Sequence, residues 1–169
     1  MPTTNETETA VGVFFNDTTG SKMDYYVDAT VGVTTDQCTA TSAPTWTTTV
    51  TLENSISPDA ARELPRYITG PYFTPGDIGT DFIVYAPVGA SIQSWTVNGE
   101  QHEAIAHTTH LGRDAVRINL TLPPLSTATL QVTMAGADGT TSADYAPTSV
   151  HHTPMVRDTP VTIDAPGCK

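Results

Sequence analysis

Positive charge is scarce in this chain. Lys and Arg number 7 against 18 Asp and Glu, a formal net charge of −11, and the cations Lys22, Arg62, Arg66, Arg113, Arg117, Arg157 and Lys169 form no run. Phosphate backbones and anionic lipid are held by clustered cations, so nucleic acid is excluded as a partner. Long apolar runs are also missing. No stretch reaches the ~18 to 20 residues that cross a bilayer, and Met1 to Thr9 lacks the basic-then-apolar order of a secretory leader, so the chain itself does not span a membrane. Charged residues make up only 15% of the whole, below the roughly 25% usual in globular proteins. Thr is abundant instead, and a β-branched, half-polar residue suits the wet face of a strand.

Cysteine is nearly absent. An even pair, Cys38 and Cys168, on a Thr-rich and Lys-poor chain points to an oxidising compartment. Joined, the two tie the last residues to the end of an early strand and close a long loop, worth roughly 4 to 5 kcal/mol in the chain-entropy model. Two unpaired buried thiols are the alternative.

Catalytic patterns are lacking as well. Neither Ser21 after Gly20 nor Ser91 after Ala90 has the Gly-x-Ser-x-Gly context of a strained nucleophile turn. Asp24 and Asp28 share one face of an expected strand but lie roughly 13 Å apart along it, too far for paired-carboxylate hydrolysis. His102 and His107 differ by an odd number and point to opposite strand faces, as do His151 and His152, and His110 adds no third ligand in a fixed spacing. Asn16 with Asp17, and Asp77 with Asp81, offer oxygens without the alternating acidic pattern of a calcium loop. No catalytic residue, metal or cofactor is expected.

What the sequence does contain is alternation. Met23, Tyr25, Val27, Ala29, Val31 and Val33 recur at every second position, predicting one long strand from Lys22 to Thr34, with Lys22 beside Asp24 as a local ion pair. The pattern returns in Trp46–Leu52, Val116–Leu122 and Ala128–Met134. Val11–Phe15 is an expected first strand, and Phe82–Ala86, apolar on both faces, an expected central one. Ile92–Val97 runs into Asn98-Gly99, a favoured hairpin turn, with a return strand expected near His102–His107. Val150–Val156 and Val161–Ile163 are expected to form one edge strand interrupted by Pro154 and Pro160. Only Ser57–Leu64 has helical signals: a capping Ser57, Pro58 at the first position and Pro65 as the stop. The chain of 169 residues fits one domain. The expectation is an all-β, two-sheet immunoglobulin-like sandwich of about eight or nine strands with one short connecting helix over residues 10–169, and a disordered or appended leader over 1–9.

Three stretches together carry a resemblance: Val13–Tyr26 (VFFNDTTGSKMDYY), Val50–Gly70 (VTLENSISPDAARELPRYITG) and Pro75–Gly89 (ending FIVYAPVG), with Leu122–Met134 and Pro154–Cys168 fitting the same pattern. The chain resembles the C-terminal extracellular region of a bacterial, mainly actinobacterial, membrane-anchored family known only as domain of unknown function DUF 4012. The segments around Lys22 and Tyr67 are the more distinctive. The resemblance implies an anchor upstream of this chain, a place on the outer side of the cell membrane, and a link to envelope or surface-polysaccharide biology. It implies no activity.

The candidate binding surface is the Pro65–Asp77 loop, where Tyr67, Tyr72 and Phe73 sit among Gly70, Pro71, Pro75 and Gly76. Rings on a Pro-stiffened loop stack on sugars or anchor a protein partner; equally, they cover the open end of a sandwich. The expected function is a non-catalytic structural or interaction module, monomeric, with envelope polysaccharide or another envelope protein as partner. The alternatives are a carbohydrate-binding module and an accessory domain of an enzyme whose active site lies upstream.

Overall fold

Period-two burial runs through the computed structural model, which describes residues 1–168. In chain order the elements are β1 (Thr9–Asp17), β2 (Val27–Thr35), β3 (Thr45–Asn54), the short helices α1 (Pro58–Glu63) and α2 (Arg66–Thr69), then β4 (Ile78–Tyr85), β5 (Ser91–Val97), β6 (Glu100–Gln101), β7 (Ala106–His110), β8 (Arg113–Leu122), β9 (Thr127–Ala135), β10 (Thr148–His152) and β11 (Val161–Asp164). One sheet has the order β10-β1-β4-β8-β7 and the other β11-β2-β3-β9-β5-β6. Their inner faces meet in one core. Val11, Val13, Phe82, Val84, Val116 and Ile118 of the first sheet pack with Val31, Val33, Trp46, Val50, Leu130 and Met134 of the second. Each large apolar side chain so buried stabilises the fold by roughly 1.5 to 3 kcal/mol, so a one-residue slip of any inner strand is strongly disfavoured. The protein is an all-β sandwich.

Both sheets are mixed. The inner pairs are antiparallel, but β10 runs parallel to β1 and β11 parallel to β2. The tail is therefore two edge strands in two different sheets, not the single interrupted strand expected. Prolines explain the break: Pro154 and Pro160 lie between β10 and β11, where the chain crosses from one sheet to the other and no ladder donor is required. The crossing is fastened at both ends, by Thr153 N donating to Val13 O at 3.3 Å and Val31 N donating to Pro160 O at 3.0 Å.

Two further expectations change. Met23–Tyr26 is a 3-10 turn, and β2 begins only at Val27. The local alternation is real, yet hydrogen bonds from elsewhere override it: Ser21 Oγ accepts from Met23 N at 3.2 Å, and Lys22 N donates to Ile68 O at 2.9 Å. The Asn98-Gly99 turn forms with positive φ at both residues, 52° and 82°. Its return strand, however, is only the two residues of β6. The chain then leaves for the other sheet, where Ala106–His110 pairs with β8. These extra short strands raise the total among the described residues to eleven. As expected, α1 is capped by Ser57, whose Oγ accepts from Ala60 N at 3.2 Å; α2 is a second helix without strong sequence signals.

Cys38 and Cys168 are joined, 130 residues apart. Cys168 follows β11, so the bond fixes the free end of an edge strand to the loop that follows β2. In the chain-entropy model such a loop is worth at most about 5 kcal/mol. Cys168→Ser, or reduction of the wild type, is expected to lower unfolding free energy by about 3 to 5 kcal/mol. Denaturant titration with and without reductant checks this; coincident curves refute it.

Candidate functional site

The end of the sandwich that holds the Gly20 turn also holds α1 and α2, and the sequence explains why they meet. The Asp17 carboxylate accepts from Thr19 N at 2.7 Å and Ser21 N at 3.2 Å, closing a tight turn after β1. Gly70, at φ 80°, lets α2 end against that turn, since a methyl group there would come within 2.9 Å of Thr19 O. Arg66 then ties the following loop to its own helix, donating from Nη2 to Pro71 O at 2.9 Å and from Nη1 to Phe73 O at 3.2 Å.

The three aromatic residues of this loop divide by environment. The Phe73 ring lies directly over Gly79, where an added methyl would meet it at 2.7 Å. It covers the end of the sheet. Tyr67 and Tyr72 are 69% and 81% exposed. Lys22 sits over the Tyr67 ring, its Nζ 5.8 Å from the centroid, and the Tyr72 ring lies beside Gly20. Lys22 thus makes a cation–π contact in place of the ion pair expected with Asp24, and no Lys22–Asp24 ion pair occurs among the described residues. The result is a pair of open rings and an ammonium group on a short, cross-braced segment.

The acidic candidates are scattered or already engaged. Asp24 lies on the 3-10 turn and Asp28 on β2, so they do not share a strand face. Asp28 accepts from Arg157 Nη1 at 2.6 Å, and Arg157 also stacks on Tyr25, its guanidinium carbon 5.2 Å from the ring centroid. The hydrogen bond to Asp28 holds the Arg157 guanidinium above its ordinary pKa. Asp81, buried in β4, takes Arg117 Nε at 2.9 Å on one oxygen and Asn119 Nδ2 at 2.8 Å on the other. Offered with Asp77 as a source of loop oxygens for calcium, Asp81 is a cross-strand anchor instead, legible only once β4 and β8 are paired.

The histidines stay apart. His107 Nε2 lies 3.0 Å from Asp114 Oδ1, His110 Nδ1 2.7 Å from the Tyr85 hydroxyl, and His152 Nδ1 donates to Thr153 O at 2.9 Å. His102 contributes its carbonyl, which accepts from Trp95 Nε1 at 2.8 Å. Ser149 Oγ and His151 Nε2 both reach Glu8, at 2.6 and 3.2 Å, so hydroxyl and imidazole share a carboxylate and do not pair with each other. The hydroxyl bond from Ser149, and then that from His151, pull the Glu8 carboxyl below its ordinary value. Among the described residues no three His, Cys, Asp or Glu side chains converge to hold a metal ion.

Beneath the crossing between β10 and β11 lies a cavity of about 100 Å³, lined by Phe15, Leu52, Ile78 and Met155 with Asp17 and Asp24 among its polar groups. Burial, and secondarily the Asp17 charge, push the Asp24 carboxyl above its ordinary 3.8. Comparison with family models, with curated proteins and with solved structures finds no match to this chain.

Two measurements test this geometry. Because folding raises the Asp24 pKa, its stabilising contribution is present below pH 3.8 and lost as pH rises through the folded-state value. Asp24→Asn should therefore raise Tm at neutral pH and leave it unchanged below pH 3.8; a pH series of melting curves checks the sign. Asp81→Ala removes the shared acceptor of Arg117 and Asn119 and should cost about 1 to 3 kcal/mol in chemical denaturation.

Proposed function

We propose that this chain is a non-catalytic extracellular interaction module, the C-terminal part of a membrane-anchored envelope protein of the DUF 4012 family, and that it recognises its partner through the Tyr67, Tyr72 and Lys22 end. Two exposed tyrosine rings on a braced loop carry this reading. Large rings contribute contact area at low entropic cost, and bracing by Arg66, Gly70 and the Asp17 turn has already removed much of the loop's freedom. The two stretches that carry the family resemblance most distinctively, around Lys22 and around Tyr67, are the ones in contact there. The disulfide supports an oxidising compartment. Anchoring by a segment upstream of this chain belongs to the same proposal.

The exposed ring faces favour a second, narrower reading in which the partner is an envelope or surface polysaccharide, since sugar faces stack on flat aromatic surfaces. Tyr67→Ala with Tyr72→Ala should abolish retention on a panel of purified cell-wall and capsular glycans or envelope proteins, with stability changed by no more than about 0.5 kcal/mol. Phe73→Ala, by contrast, should lose roughly 2 to 4 kcal/mol of stability because its ring packs over Gly79. Retention that survives the double tyrosine change moves recognition elsewhere. Turnover of an envelope substrate by the chain alone overturns the non-catalytic reading.

A further inference from the structure

A different surface carries a groove. The outer face of the β10-β1-β4-β8-β7 sheet should be wet, yet at its centre it carries Phe14, Ile83 and Tyr85, with Phe14 and Tyr85 edge to face at 5.7 Å. Residues Met1–Thr3 lie along this face: a methyl group on Gly12 would come within 2.7 Å of the Met1 sulfur, and Pro2 O accepts from Arg113 Nη2 at 2.7 Å. Between strands and segment is a groove of about 570 Å³, lined by Met1, Pro2, Thr3, Phe14, Ile83, Tyr85, Leu111 and Arg113. Small-molecule sites run from roughly 300 to 1,000 Å³ and combine apolar walls with a few fixed polar groups.

Arg113 supplies the polar group. It is only 4% exposed, and its Nη1 donates to Ala10 O at 2.8 Å and Ala86 O at 2.9 Å. With Pro2 O this makes three neutral acceptors and no carboxylate, in a chain with 18 acidic residues. A guanidinium has five N–H groups, so the Nε–H and one Nη2–H have no acceptor among the described residues. Glu8 acts on it only from a distance, its oxygens being taken by Ser149 and His151. A largely buried cation with no carboxylate hydrogen-bonded to it among the described residues favours an anion beside it.

Leu111 points the same way. It occupies the turn between β7 and β8 at φ 51°, where Asn or Gly is the unstrained choice, and is 84% exposed. A large apolar side chain held in a strained turn gains nothing inside the fold, but it gains burial if an apolar molecule fills the groove it lines.

We propose that this groove binds a long-chain fatty acid, its carboxylate on the free edge of Arg113 and its acyl chain against Phe14, Ile83, Tyr85 and Leu111. The chain is tested by displacement of cis-parinaric acid, followed by fluorescence, with palmitate and 1-hexadecanol as competitors. Palmitate should displace the probe saturably at one site, about tenfold more tightly than hexadecanol, because only the acid makes charge-assisted hydrogen bonds. Leu111→Asn should weaken palmitate about tenfold while leaving Tm equal or higher, since Asn relieves the turn. No saturable displacement, equal affinity for acid and alcohol, or wild-type affinity in L111N each overturns the proposal. So does a dimer in sedimentation that L111N dissociates and palmitate does not, which would assign the face to a second copy. None of these readouts involves Tyr67 or Tyr72, so the result is independent of the glycan experiments.

Discussion

Two pleated layers share a dry interior when each long strand turns an apolar face inward and most of the polar groups caught between the layers find a partner there. Trp46 shows how tightly both conditions bind. Its ring is wholly buried against Tyr145, and its Nε1 donates to Thr148 Oγ1 at 3.0 Å, which in turn donates to Gln37 Oε1. Gln37 Nε2 completes the chain on Tyr145 O and Ala146 O. A residue of β3 in one sheet is thereby locked to β10 in the other, and the tail acquires its register from a satisfied indole as well as from the ladder with β1.

From that lock the chain can cross between the sheets. Once Thr148–His152 is held against β1, residues 153–160 have only to span one end of the sandwich before β11 joins β2, and the disulfide then pins the residues beyond β11. The two ends are therefore built differently. One is closed covalently near Cys38. The other is closed by side chains and short helices, with the Asp17 turn, Gly70 and Phe73 filling it and Tyr67 and Tyr72 left over. Loops on a rigid scaffold are where recognition is placed at least structural cost.

Much of the architecture was legible because alternation is a local property. Trp46–Leu52 and Ala128–Met134 need only their own residues to be recognised as half-buried strands, and Asn98-Gly99 and Ser57-Pro58 name their own turn and cap. The failures share a cause. At Met23–Tyr26 the pattern continues unbroken, but Asp17, Ser21 and the Ile68 carbonyl wind it into a turn. After Asn98-Gly99 the expected return strand is cut to two residues because β7 finds a better partner in β8, across a Leu111-Gly112 turn whose leucine gives no turn signal. Of the site, the loop was legible as an aromatic cluster; which rings it buries was not, and Arg66 as its brace had no signal at all.

The all-β class, the faces of the long strands, the Ser57-capped helix and an acidic surface without a basic patch were all readable along the chain, since each depends on residue types and on neighbours two to four positions away. It took the packed molecule to show that the tail serves two sheets, that Asp81 and Arg113 are buried, that Phe73 packs while Tyr67 and Tyr72 stand free, and that the β10-β1-β4-β8-β7 sheet has an apolar outer face under Met1–Thr3. The physical reason is range. Whether a side chain loses water, or a strand finds its partner, depends on groups tens of residues away along the chain, and no local period records their arrival.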